Sequence, residues 1–209
     1  MWLTYSINLM KYNPEIHDRN SIRLKGYDYS SAGFYFVTIC THKRQCLFGE
    51  IVNDEMVLNE YGKIIAEEWV KSAKIRQEIE LDEWIVMPNH FHTIIALVQP
   101  VVDIAHQPPV RANNRLPSDD SPPINNNSQR VAPPMKPRSL SSAIAGFKSA
   151  ATTRINTIRN SPSTPVWQRN YYEHIIRNQS SLEKIRHYIQ NNPKSWNTDQ
   201  LHPNTPSKW

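Results

Sequence analysis

The sequence predicts an α+β sandwich, a small sheet packed against helices. Three observations carry that class. Runs such as "GFYFVTICT" (33–41) and "HFHTIIAL" (90–97) are dense in β-branched and aromatic residues, the composition of strands. Runs such as "EYGKIIAEEWVKSAKI" (60–75) repeat apolar residues at helical spacing. The two kinds alternate along one 209-residue chain without internal repeats, and together they give three or four strands and three helices.

The elements follow in order. Residues 1–26 are polar and irregular and read as an N-terminal extension. The first strand is 33–41. "CLFGEI" (46–51) and "EMVLN" (55–59) form a short strand and its return around a turn at Asn53-Asp54. Helix 60–75 carries its stripe on Ile64, Ile65, Trp69 and Ala73. "IELDEWIVM" (79–87) alternates as a strand, and Pro88-Asn89 is a tight connection into the next one. In that strand Phe91, Thr93, Ile95 and Leu97 point one way and His90, His92, Ile94 and Ala96 the other. Two imidazoles on one face, one pleat apart, can grip a single cation.

Residues 100–137 hold nine of the 16 prolines, with Asn, Ser and Gln between them. Such a stretch cannot bury enough apolar area to offset its ordering entropy, so it reads as a disordered insertion. Helix 139–159 follows, capped by Ser139, with Ile144, Phe147, Ala151 and Ile155 as its stripe. "PVWQRNYYEHIIRN" (165–178) reads as a short strand and turn. Helix 180–193 opens on a capping box, Ser180 with Glu183, and ends at Pro193. Residues 197–209 read as a flexible tail. The domain is thus 27–99 joined to 138–196.

Charge is unevenly placed. The chain carries a net +5 and a pI of about 9.2. Met1 to Gln99 has 10 Lys+Arg against 13 Asp+Glu, whereas Arg138 to Trp196 has 9 against 2, a net of +7. A polyanion such as nucleic acid suits the second half. Cys40 and Cys46 give neither a disulfide framework nor a metal-binding pair, and fit a reducing compartment. No apolar run approaches the ~20 residues that span a bilayer, and the start lacks a signal-peptide pattern. The reading is cytoplasmic, with no membrane partner.

A lone His-x-His is a weak signal, and such a pair is structural at least as often as it is a metal site. Here the last helix adds Tyr188 and Asn192 at i and i+4, on one helical face, with Lys184 one turn earlier. Two imidazoles and an amide oxygen suit Mn²⁺ or Mg²⁺. Such an ion polarises a phosphodiester, and Tyr188 is then a candidate nucleophile. Spacing alone equally allows Tyr188 to be an amphipathic residue with its ring on the core.

"MPNHFH" resembles the HUH motif (histidine, hydrophobic, histidine) of the single-tyrosine transposases. "SIRLKGYDYSSAGFYFVTICT", "PVWQRNYYEHIIRN" and "IRHYIQNNP" resemble the subgroup of REP-associated tyrosine transposases. The resemblance runs from Met10 to Trp196 without the Pro-rich insertion, which would make Met1 to Leu9 an upstream extension. It implies a ferredoxin-like domain, a divalent metal, and cleavage and rejoining of single-stranded DNA beside hairpins. By position it makes His90 and His92 metal ligands and Tyr188 the nucleophile. Asn192 stands where relatives have a glutamine ligand, so Gln190 or a water remains an alternative third ligand. The implied partner is hairpin and single-stranded DNA, the assembly a monomer or homodimer, and the location the nucleoid. Lys148, Arg154, Arg159, Arg169, Arg177 and Lys184 are candidates for phosphate contacts. Trp167, Tyr171 and Tyr172 are candidates for base stacking. The competing reading is a domesticated hairpin-binding protein with little or no turnover. A His-x-His-x-His nucleotide hydrolase is disfavoured, because Ile94 occupies the third histidine's place.

Overall fold

The computed structural model describes residues 24, 26–98 and 136–205. The expected extension through residue 23 and the expected insertion from 100 to 135 lie outside the described residues. Strand β1 is Gly33–Cys40, followed by a hairpin of β2 (Gly49–Val52) and β3 (Glu55–Leu58), then helix α1 (Glu60–Ile75). β4 (Ile79–Met87) and β5 (His90–Leu97) come next, then α2 (Leu140–Ile158), β6 (Tyr172–Ile176) and α3 (Gln179–Asn191). The sheet order is β4-β5-β1-β6, and every neighbouring pair is antiparallel. Apart from the hairpin this is a βαββαβ chain with each crossover skipping one strand, the ferredoxin-like arrangement.

Pleating divides the residues between two layers. Tyr35, Val37 and Ile39 of β1 and Phe91, Ile95 and Leu97 of β5 join Trp69 of α1 and Phe147 of α2 in the main core. The Trp69 ring meets Phe91 at 5.2 Å and Phe147 at 4.9 Å, both edge to face. On the other face Phe36, Ile94 and Ile176 pack against Leu182 and Ile189 of α3. The histidines therefore face α3, as the alternation requires.

Two local devices shape these layers. Asn59 caps α1 by accepting from Gly62 N at 3.0 Å. A β-carbon at Gly62 would sit 2.2 Å from the Phe48 carbonyl, so only glycine fits. In β4 the register against β5 shifts between Leu81 and Trp84. The extra residue is a bulge, which reverses the alternation. Leu81 before it and Trp84 after it both serve the main core. Asp82 and Glu83 are thereby both turned to α3, where they hold Arg186 (Nε to Oδ1 2.7 Å) and Gln190 (3.0 Å).

One cap is corrected. The side chain that closes the start of α3 is Asn178, accepting from Ser181 N at 2.8 Å, and Ser180 lies inside the helix. Both are good capping residues; the extended backbone at Asn178 decides between them. Pro193 then opens a 3-10 turn, Pro193–Thr198.

Candidate metal and nucleophile site

His90 lies opposite Cys40 and His92 opposite Thr38 on neighbouring β1. Both imidazoles are buried, and their ring centres are 4.4 Å apart. Asn89, also buried, fixes the chemistry of the first. Its Nδ2 donates to the carbonyls of Arg44 (3.2 Å) and Leu201 (2.7 Å). Carbonyls only accept, so the amide has one orientation and its Oδ1 faces His90 Nδ1 at 2.8 Å. His90 then carries its proton on Nδ1 and presents a bare Nε2.

Asn192 faces that nitrogen. Its Nδ2 donates to Asp199 Oδ2 at 3.2 Å, which turns its Oδ1 to His90 Nε2 at 3.3 Å. Burial pushes the His90 imidazolium down to about 4, against the pull of the Asp199 charge and the Asn192 oxygen. At neutral pH two lone pairs therefore confront each other, an arrangement that a shared cation satisfies.

His92 Nδ1 is 2.8 Å from Thr38 Oγ1, and its Nε2 is 3.3 Å from the Tyr188 hydroxyl. With the proton on Nδ1, Thr38 accepts it and Tyr188 donates to Nε2. Burial, and then the neighbouring His90, hold His92 well below the usual imidazole range. The Tyr188 side chain is 46% exposed, so its hydroxyl reaches the site while its edge stays open to solvent. Burial of the hydroxyl end and the Asp199 charge push its phenol up to about 12, with the Asn192 hydrogen bond opposing.

Asp199 is the residue that sequence reasoning missed. Its ligand atom and those of His90 and His92 all lie within 4.8 Å of one another. Residues 197–205 of the expected tail fold back to bring it there: Asp199 Oδ1 accepts from Leu201 N at 2.6 Å, and Arg44 holds the Gln200 carbonyl at 3.4 Å. Trp196 packs between His90 (6.0 Å) and His202 (4.8 Å). The only hint in the sequence is that Asp199 is an isolated acid in a basic half of the chain. Gln190, the alternative third ligand, is engaged with Glu83 of β4.

The expected phosphate contacts are not brought into one patch. Arg154 of α2 is paired with Glu67 (2.6 Å) and Glu68 (2.9 Å) of α1, in the layer opposite α3. Arg159 braces Asn156 and the Thr164 carbonyl at the end of its own helix. Lys148 donates to the carbonyls of Gln168 (2.6 Å) and Arg169 (3.2 Å), and burial pushes its ammonium down to about 8. Arg169, Arg177 and Lys184 are exposed, Lys184 one turn before Tyr188. Trp167 is a core residue against Phe48 (5.1 Å) and so is no stacking platform, whereas Tyr172 is 47% exposed.

No protein-family model matches the chain. An uncharacterized protein of Haemophilus influenzae strain Rd is 40% identical over 192 residues, covering 92% of this chain and 97% of that one. The solved structure of a REP-associated tyrosine transposase bound to a REP hairpin superposes with a TM-score of 0.50 at 18% identity, covering 91% of each chain. That likeness establishes the shared fold. A candidate transposase from Deinococcus radiodurans R1 aligns at 15% identity over 82% of this chain and 97% of its own, with a TM-score of 0.38.

Proposed function

We propose that this chain, which belongs to one family with its Haemophilus influenzae relative, is a transposase-like endonuclease and strand transferase for single-stranded DNA. One observation carries the reading: the Tyr188 hydroxyl reaches to 3.3 Å from His92 Nε2, at the edge of a buried His-His-Asp cluster. His90 Nε2, His92 Nε2, a carboxylate oxygen of Asp199 and Oδ1 of Asn192 form a mixed nitrogen and oxygen donor set, which suits Mg²⁺ or Mn²⁺. Such an ion, when bound, supplies Lewis-acid polarisation of a phosphodiester oxygen.

The chain's own residues supply the rest. Asn89 and Thr38 hold the two imidazoles so that each Nε2 faces the site. Tyr188 attacks phosphorus through its phenolic oxygen, giving up its proton. The bond from phosphorus to the 3′ oxygen breaks, and that oxygen takes up a proton to become a free 3′ hydroxyl. The DNA 5′ phosphate remains joined to Tyr188. The phosphotyrosine keeps the energy of the broken bond, so the reverse attack by a 3′ hydroxyl rejoins strands without ATP. DNA flanking a hairpin, of the kind held by the structural neighbour, is the substrate class.

The test is a covalent adduct. Wild-type protein, single-stranded DNA with a hairpin and Mn²⁺ should give a species that survives denaturing electrophoresis. Tyr188→Phe should fold, bind the DNA and form no adduct. Peptide mapping that finds DNA on Tyr171 or Tyr172 would move the nucleophile; no adduct with Mn²⁺ or Mg²⁺ would leave only the hairpin-binding alternative.

A further inference from the structure

Lys148 of α2 is half-buried, and its amine donates to the carbonyls of Gln168 (2.6 Å) and Arg169 (3.2 Å). An ammonium brings three donors, and these two carbonyls are the only acceptors that Nζ meets among the described residues. No carboxylate among those residues pairs with it. The titratable group that faces it is Cys40 of β1. Burial pushes that thiol up to about 11, so it supplies no charge at neutral pH. The surroundings therefore suit a neutral amine, whose two N–H bonds meet the two carbonyls and whose lone pair is left over. In keeping with this, burial pushes the ammonium down to about 8. At pH 7 such a lysine is neutral in about one molecule in ten, against fewer than about one in a thousand at the ordinary value of ~10.4.

The amine lines a cavity of about 350 Å³ between α2 and residues 165–169. Ser149, Gln168 and Arg169 on its walls are exposed, so it opens to solvent, and no acid lines it. The Arg169 guanidinium and the Ser149 hydroxyl have no hydrogen-bond or ion-pair partner among the described residues. We propose that Lys148 is a modification site for a small acyl phosphate. A nucleophilic amine beside an unpaired guanidinium and a free hydroxyl fits an electrophile that carries its own anion. The Nζ lone pair attacks the acyl carbon. The bond from that carbon to the phosphoryl oxygen breaks, and its electron pair leaves with inorganic phosphate. Nζ gives up its extra proton to solvent and becomes an amide nitrogen.

The amide keeps one N–H, so one of the two carbonyls loses its donor. It also brings an oxygen that only accepts hydrogen bonds beside two others of the same kind. The segment that Lys148 ties down leads into β6: Gln168 N donates to the Cys40 carbonyl at 2.9 Å, and Trp167 forms a bridge with Thr41. Acylation thus loosens the approach to β6. The inference stands apart from the nuclease reading, since it uses neither the metal cluster nor Tyr188.

The experiment treats the full-length wild-type protein with acetyl phosphate at pH 7 and follows each lysine by peptide mass mapping. Lys148 should be acetylated about tenfold faster than the exposed Lys184 and Lys194, because far more of it is neutral. Its rate should rise with pH and level off above about 8. Arg169→Ala should slow labelling by acetyl phosphate about tenfold, the cost of a lost charged hydrogen bond, and leave labelling by uncharged acetic anhydride unchanged. In the acetylated protein, hydrogen exchange should quicken across residues 165–176 and stay unchanged in β4 and β5. Labelling of Lys148 no faster than of Lys184 overturns the site. An Arg169→Ala variant that slows both reagents alike, or neither, overturns the acyl phosphate as its ligand. Unchanged exchange at Gln168 after acetylation overturns the release of the segment.

Discussion

Asn89 decides at one position what His90 can do. Aspartate there is nearly the same size, but its carboxylate cannot donate to the Arg44 and Leu201 carbonyls. The imidazole would lose its fixed tautomer, and a second charge would enter a buried site. Asn89→Asp should weaken Mn²⁺ binding about 10–100-fold by titration calorimetry, the usual cost of removing such a partner. Equal affinity for both proteins would remove Asn89 from this role. Asn89 stood in the sequence only as half of a turn with Pro88, because its partners lie 45 and 112 residues away. His90 and His92 were legible because pleating is a local rule, and Tyr188 with Asn192 because helical spacing is another. Asp199 was not, since its chain distance from the histidines is closed by tertiary packing alone.

Among the elements, α3 carries Tyr188, the proposed nucleophile, and so its docking sets the site. The β4 bulge supplies both acidic anchors, and a strand that merely alternated would have turned one of them into the main core. That bulge is invisible in "IELDEWIVM", which reads as a regular strand. The boundaries of helix α1 and strand β4 were legible to the residue, whereas the α3 cap was displaced by two positions between equally suitable residues. The Arg186 guanidinium, by hydrogen bonding, holds the Asp82 carboxyl below its ordinary value. A depressed carboxyl binds fewer protons folded than unfolded. Its contribution is therefore complete above the unfolded value of about 3.9 and is lost as pH falls through the lower folded value. Asp82→Asn should remove that part of the acid loss in thermal melts between pH 5 and 2, where roughly defined slopes suffice to compare the variants. Arg186 is 37% exposed on its side chain, so solvent screens the pair and its contribution is small. A wild-type acid limb in Asp82→Asn would show the pair to be idle.

At the scale of the whole molecule, four of the nine cations of the C-terminal segment are engaged by the protein itself. Arg154 and Arg186 are paired, Arg159 braces its helix, and Lys148 is bound to two carbonyls. Exposed cations on and beside α3 include Arg177, Lys184 and Lys194. The logarithm of affinity for single-stranded DNA should therefore fall with the logarithm of salt at a shallow slope, and Lys184→Ala should reduce that slope by about 0.7. Arg154→Ala should leave it unchanged; a change there would mean that the α1/α2 layer meets DNA. Net charge by segment, the quantity the sequence offers, thus overstates the field available outside, because it cannot see which charges cancel across helices. The fold-back of residues 193–205 has a consequence in time as well as space. Asp199 follows every strand and helix in the order of synthesis. Docking of residues 193–205 on the finished sheet and α3 is thus the last step in chain order that completes the His90–His92–Asp199 group.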